Sequence, residues 1–377
     1  MINFSRENTS SVAKWWRNVD KQILFLFLIL SLLGLFFSFS STSSVVADKM
    51  NKQTYFFFTK HLIFVFISLF FLIVISMQEK KIIIKYLPYI FFLSLILLSL
   101  TPLFGVEVKG SKRWIDLPFL PRFQPIELVK PLFIIFIAKI ITLDEKKNIF
   151  KRYIYSFSVL VLIIIFLINQ PDLGQTLLLI TVWITIIFAS GFNMFILLAL
   201  GTAFFSTIGL LIFLLPEKFG YIYFRIKTFI DPNAGDNYQS QKALDAIKQG
   251  GLTGQGMGEG ILKDKVPEAH TDYIIAVISE EYGVLVVLFI VFMFLYLGYK
   301  VVNKVFFAND EFVKLALVGL ISLLIIQTFI HIGVNTRLLP ATGMTLPFLS
   351  YGGSSLIGSS IIAGIILNFT RKDSARY

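Results

Sequence analysis

The chain has 377 residues, 56% hydrophobic and 15% charged, with a net charge of +11. Soluble domains average about 25% charged residues, so the composition excludes an ordinary soluble enzyme and indicates a polytopic membrane protein. The basic residues sit in short clusters between apolar runs, the pattern of orientation signals, so anionic lipid headgroups are the expected partner and nucleic acid is not.

A bilayer core takes about 20 apolar residues per helix. In chain order the windows approaching that length are 22–42, 59–78, 86–104, 125–143, 154–169, 175–191, 194–215, 272–300, 313–334 and 349–369. The expected fold is an all-α polytopic bundle of about ten transmembrane helices, one integral membrane domain over 1–377. A large extracytoplasmic loop, 216–271, separates the seventh and eighth spans. Lys and Arg in the short loops place both termini in the cytoplasm once 216–271 is set apart, because long loops translocate regardless of charge. The absence of Cys removes disulfides, a thiolate nucleophile and Cys-type zinc sites.

The first window also resembles a signal peptide, with Lys14, Arg17 and Lys21 as a basic flank and Val45-Val46-Ala47 as a small-residue cleavage site. Its apolar stretch from Ile23 to Phe39 exceeds the roughly 7–15 residues of a signal core, so a retained helix is expected. Residues 105–124 mix Lys109, Lys112, Arg113 and Arg122 with Trp114 and Phe119, as a segment lying at the membrane interface does. In 216–271, Asp236 and Gln239 resemble a capping box. A helix is expected from Asn237 to Gln249, stopped by Gly250-Gly251. Tyr238, Leu244 and Ile247 would give it a weak apolar face toward the membrane surface. The run GGLTGQGMGEG at 250–260 lacks P-loop spacing and reads as a flexible loop beside a moving helix.

Polar residues at membrane depth come next. Glu127 and Lys130, spaced i, i+3, share a helix face and can pair. They are either an ion pair that lets a polar helix end survive in lipid or the charged lining of an outer-leaflet cavity. Residues 266–273, VPEAHTDY, bring Glu268, His270, Thr271 and Asp272 to the mouth of the eighth span. Capping preferences favour Asp272 as a helix N-cap. A carboxylate at such a mouth is also a candidate for chemistry on a bilayer-resident substrate, and the two roles can coexist. Glu280, about 12 Å deeper on the same helix, and Glu281 need internal partners. His61, His270 and His331 form no compact ligand motif, so a protein-built metal site is not expected. The turn from Ser350 to Ser355 lacks the G-x-S-x-G of a nucleophile elbow, and its small residues read as helix packing.

Six ordered blocks carry a resemblance over nearly the whole chain. They are GSKRWIDL at 110–117, FQPIELVK at 123–130, QPDLGQT at 170–176, DNYQSQKALDAIKQGGLTGQGMGEG at 236–260, PEAHTDYIIAVISEEYG at 267–283 and LLPATGMTLPFLSYGGSS at 338–355. On these blocks the chain resembles the SEDS (shape, elongation, division, sporulation) family of bacterial cell-wall polymerases. The wording is closer to the division branch than to the elongation branch, with Ala269 where elongation-type chains carry Arg. The stretch DPNAGDNYQ resembles alphaproteobacterial forms. Ile126 departs from the usual Ser and Leu173 from the usual Phe.

The resemblance implies a peptidoglycan glycosyltransferase that polymerises lipid II at the outer face of the bacterial inner membrane, at the division septum. Its partners would be a class B penicillin-binding transpeptidase and other divisome proteins. The family's essential aspartate falls on Asp272, as general base. Cationic stabilisation of the departing pyrophosphate is expected from Arg113, Lys130 and Arg337, with a divalent cation (Mg or Mn) as helper. Glu127, Lys130 and Asp172 carry over as cavity residues, and His270 as a neighbour shaping the mouth. The competing functions are a lipid II flippase, a scaffold for the transpeptidase, and the elongation-type paralogue.

Overall fold

The computed structural model describes residues 10–41, 56–108, 110–116, 122–143, 149–214, 216–231 and 237–372. The Val45-Val46-Ala47 site, Lys109, Phe119 and the Asp236 half of the capping box lie outside the described residues.

The ten apolar windows coincide with helices α2 (Lys21–Ser41), α3 (Phe56–Met77), α4 (Lys80–Phe104), α5 (Pro125–Thr142), α6 (Ile149–Asn169), α7 (Leu173–Ala189), α8 (Met194–Leu214), α11 (Ile274–Phe307), α12 (Glu311–Asn335) and α13 (Gly353–Thr370). Among the described residues, seven of these are long and apolar enough to cross a bilayer: α2, α3, α4, α6, α11, α12 and α13. α7 has 17 residues. α5 has 18 and carries Glu127, Lys130 and Lys139. α5 tolerates Glu127 and Lys130 because both are buried where α4, α12 and α13 enclose it, while the half-buried Lys139 donates to Ile84 O at 3.2 Å.

The last span is the centre of the bundle. Every residue of α13 from Ser354 to Thr370 except Ile357 is buried, and its small residues let neighbours close on it. A Cβ on Gly353 would strike Phe64 of α3, and one on Gly358 would lie 2.7 Å from the Glu127 carbonyl of α5. Helix interfaces inside membranes favour small residues for this reason. At the other extreme, α8 leaves Phe195 and Phe213 81% exposed, as lipid-facing side chains are.

The first and last described segments of the chain meet on one face. A short helix, α1 (Ser11–Asn18), donates Trp15 Nε1–H to Ser76 Oγ at 3.0 Å, and Lys372 N–H donates to Asn18 O at 3.0 Å. Asp20 caps α2 through Gln22 N–H and Ile23 N–H and pairs with Lys304 Nζ at 2.7 Å, at the far end of α11.

Three features depart from expectation. The interface segment is a β-hairpin, β1 (Val106–Val108) against β2 (Ser111–Trp114), prolonged by an Ile115–Phe123 bridge. Strands this short leave too little alternation to register in the sequence. In the large loop, α9 (Pro216–Ile230) precedes α10 (Tyr238–Gly250). α10 buries Ala243, Ala246 and Gly250, not Tyr238, and packs on the start of α11 with Val266, Ala269, Tyr273 and Val334. Its docking face is thus protein, and small side chains permit the close approach.

The third departure is the glycine-rich run, which is built into a break in α11. Gly283 has φ +80 and ψ 170, a conformation accessible to glycine. The interrupted helix finds its partners in the loop. Val284 N–H donates to Gly251 O at 3.0 Å, while Gln255 and Gly256 N–H donate to the carbonyls of Glu280 and Glu281 at 2.9 and 3.0 Å. Backbone at membrane depth must be satisfied in this way. Glu280 accepts from Leu262 and Lys263 N–H at 2.7 and 2.8 Å, and Glu281 accepts from Lys263 Nζ and Ser40 Oγ. The two acids therefore have their internal partners, and Glu280 faces the loop.

Candidate active site

α3 contributes Phe57, Lys60, Ile63, Phe64 and Ile67 to one wall of a cavity of about 1180 Å³. Their spacing is that of a single helix face, and it runs from a cation to lipid-facing side chains, with Ile63 52% exposed. α9 adds Phe224, Arg225, Thr228 and Phe229 to the lining. The rim is made by the hairpin, by residues 268–273 and by the connection from Arg337 to Gly352. Phe57 and Ser76 sit at opposite ends of α3, so the cavity lies roughly 28 Å from the face where α1 and Lys372 meet, at 1.5 Å per residue.

Charge is concentrated here. Lys60, Arg113, Arg122, Arg225 and Arg337 line the cavity together with Asp116, Glu127, Glu268 and Asp272. Of the residues singled out from the sequence, Arg113, Glu127, His270, Asp272 and Arg337 are brought together in its lining. Lys130 and Asp172 stand behind the wall.

Asp272 lies in the turn that leads into α11, where Tyr273 occupies the N-cap position. Glu268, at φ +57, folds the turn back so that its carbonyl accepts from Thr271 N–H at 3.1 Å and Tyr273 N–H at 3.2 Å. Gly343, at φ +69, lies against the carboxylate, and a Cβ there would be 3.5 Å from Asp272 Oδ2. The His270 ring lies tilted against Phe57 at 4.8 Å and Tyr351 at 5.6 Å, which holds the mouth beside α3. Burial pushes the Tyr273 hydroxyl above its ordinary range; its hydrogen bond with Ser240 opposes that shift, and the Asp272 charge adds to it.

Arg113 is anchored through Nε to Gln170 O at 3.0 Å and through Nη2 to Pro171 O, with Asp172 Oδ2 at 3.7 Å. Asp172 also caps α7, accepting from Gln175 N–H at 3.3 Å. Burial raises its carboxyl above the ordinary range, and the Arg113 charge opposes that rise. Lys130 Nζ bonds Gln327 Oε1 at 3.3 Å, and Gln175 Nε2 bonds Glu127 Oε1 at 3.2 Å. Arg337, at φ +57, donates to Gln241 Oε1 of α10 at 2.7 Å. Non-glycine residues in this backbone region, here Glu268 and Arg337, cluster at functional sites.

Sequence reasoning did not single out Arg225, Asn335 or Lys60. Arg225 Nη1 donates to Ala341 O at 3.3 Å and so ties α9 to the rim. Its only sequence signal was a cation on an amphipathic stretch. Among the described residues, no group of three or more His, Cys, Asp or Glu side chains is placed to hold a metal ion.

Fold and site define a multi-pass helical membrane protein with a charged chamber at the face opposite the one where its first and last described segments meet. The chain belongs to the FtsW/RodA/SpoVE family of cell cycle proteins, whose family model matches residues 20–375. It is 30% identical over 375 residues to a probable peptidoglycan glycosyltransferase FtsW of Caulobacter vibrioides, covering 99% of this chain and 95% of that protein. It is 34% identical over 367 residues to a protein of the same name from a Geobacter species, covering 94% and 97%. The fold matches a chain of a peptidoglycan synthase complex that coordinates polymerization and crosslinking, with a TM-score of 0.76, 22% identity, and 93% and 97% of the two chains covered. It also matches the rod shape determining protein RodA of Thermus thermophilus, with a TM-score of 0.69, 22% identity, and 94% and 97% covered.

Proposed function

We propose that the chain is a peptidoglycan glycosyltransferase that polymerises lipid II into glycan strands at the outer face of the inner membrane during septal wall synthesis, with Asp272 as general base. The observation that carries this reading is the placement of Asp272 in the lining of a cavity that also holds Lys60, Arg113, Arg122, Arg225 and Arg337, with one wall running into exposed apolar side chains of α3. Such a chamber suits a substrate with a polar, anionic head and an apolar tail.

In the reaction a sugar hydroxyl of the acceptor attacks the anomeric carbon of the donor. Its proton passes to the Asp272 carboxylate as the new C–O bond forms. The bond to the lipid pyrophosphate breaks, and the pyrophosphate leaves with the electron pair. A single displacement of this kind inverts the anomeric carbon. An anionic leaving group needs no protonation, unlike that of a glycosidase, but it needs cations aimed at the developing charge. Arg113 and Arg337 supply these from the lining. Lys130 acts from behind the wall through Glu127, and His270 shapes the mouth. A divalent cation, Mg or Mn, would enter with the pyrophosphate.

The termini lie in the cytoplasm, which puts the cavity outside. A class B penicillin-binding transpeptidase is the partner, together with other divisome proteins. The relatives named FtsW favour the division role over the elongation-type one. The charged lining gathered at one face favours chemistry over lipid II flipping, since transporters place their sites near the midplane between repeats.

The test uses the full chain with its transpeptidase, labelled lipid II, and an Asp272→Asn variant. A general base contributes about 10²–10⁴-fold, so the folded variant should lose polymer by that factor. Undiminished polymer from the variant sinks the assignment of the base. Lipid II crossing vesicles without polymer replaces the polymerase reading with a flippase.

A further inference from the structure

The proposed base belongs to a turn, so its direction is not set by a helix of its own. Three consecutive carbonyls of that turn are held from distant parts of the chain. Tyr351 N–H donates to His270 O at 2.9 Å, Ser350 Oγ to Thr271 O at 2.6 Å, and Asn335 Nδ2 to Asp272 O at 3.0 Å.

The two side chains in this set are sealed, with Ser350 1% and Asn335 0% exposed. Ser350 Oγ also accepts from Leu346 N–H at 2.8 Å, closing its own turn. Asn335 donates in addition to His331 O at 2.8 Å and accepts at Oδ1 from Ala276 N–H at 3.2 Å, in the first turn of α11. Both donors and the acceptor of its amide are engaged. Neither residue lines the cavity, so neither contacts a substrate held there.

We propose that Asn335 and Ser350 are positioning residues for Asp272, fixing its carboxylate over the cavity by holding the Thr271 and Asp272 carbonyls, which flank the Asp272 Cα. The inference rests on the reading of Asp272 as general base. Reacting groups misplaced by about 1 Å cost about 10²-fold in rate. Loosening the turn should therefore lower kcat and leave the binding of lipid II in place.

The test compares wild type, Asp272→Asn, Asn335→Asp and Ser350→Ala in the full chain, reconstituted in vesicles with the transpeptidase and labelled lipid II. Asn335→Asp keeps the acceptor for Ala276 N–H and the side-chain volume but loses both donors. Ser350→Ala removes one oxygen and carries the test if Asn335→Asp does not fold. Rates are referred to the folded fraction. The expected result is a kcat lowered about 10- to 100-fold with KM within about twofold of wild type. Full kcat per folded molecule, or a loss confined to KM, overturns the positioning role. If Asp272→Asn itself polymerises normally, the base assignment fails. If Asp272→Asn is inactive while both other variants keep full kcat, the base stands and the positioning role fails.

Discussion

Lys130 Nζ lies 2.8 Å from Glu127 Oε1 in the enclosed helix α5, with the two side chains only 1% and 4% exposed. The pair is completed by Gln175 and Gln327, and Gln327 Nε2 reaches Thr345 O at 2.9 Å. A buried charge is tolerated only with such partners. The ion pair therefore serves both readings open at the sequence level: it closes the charge inside the bundle, and Glu127 still lines the cavity.

Removing one member strands the other. Lys130→Met alone and Glu127→Leu alone should each destabilise the protein by about 3–5 kcal/mol, with the double variant well short of their sum. Thermal melting in detergent of wild type, both singles and the double measures the coupling. Additive losses would show that the two charges do not depend on each other.

Gly283→Ala should release the glycine-rich loop from α11. The residue sits at φ +80, and a Cβ there would run into the Leu252 carbonyl. The backbone cost is about 1–3 kcal/mol, paid where the loop carbonyls of Gly251 and Leu252 cap the broken helix. Limited proteolysis should then cut within residues 252–262 faster than in wild type. Unchanged cutting would mean that the loop does not depend on the break.

The Asp20–Lys304 bridge predicts an acid-sensitive contact. Burial raises the Asp20 carboxyl, but the hydrogen bond from Lys304 and the amides of Ile23 and Gln22 outweigh it and leave the group below its ordinary value of 3.8. A depressed carboxylate stabilises the fold above its unfolded pKa and loses that contribution as pH falls through the folded pKa. Lys304→Met should thus lower the melting temperature at pH 7 and converge on wild type once the pH drops below 3.8 and through the depressed value. A gap that persists at the lowest pH would assign the loss to packing instead.

Much of this was legible in the sequence because lipid imposes one rule on every span. Apolar length located all ten helices, and Glu280 and Glu281 announced that they needed internal partners. What supplied those partners was hidden, because the amides of Gly258, Leu262 and Lys263 carry no signature in a sequence. The face of α10 was misjudged for a related reason. Apolar bulk suggested Tyr238, Leu244 and Ile247; Ile247 does pack at the contact, but close docking is made by Ala243, Ala246 and Gly250. At the site, Asp272 and Arg113 stood out within recognisable blocks. Arg225 and Asn335 gave no such signal, since their positions matter only after α9 and α12 are folded against the rim.

The three hydrogen bonds on the His270–Asp272 turn also impose an order in time. A ribosome delivers Asp272 well before Asn335, Ser350 and Tyr351, which hold the carbonyls around it. The acid is thus inserted into the membrane with its supports still unmade, and α13, the centre of the bundle, arrives last. The carbonyls around Asp272 gain their hydrogen bonds only after α12 and the start of the last span have been made.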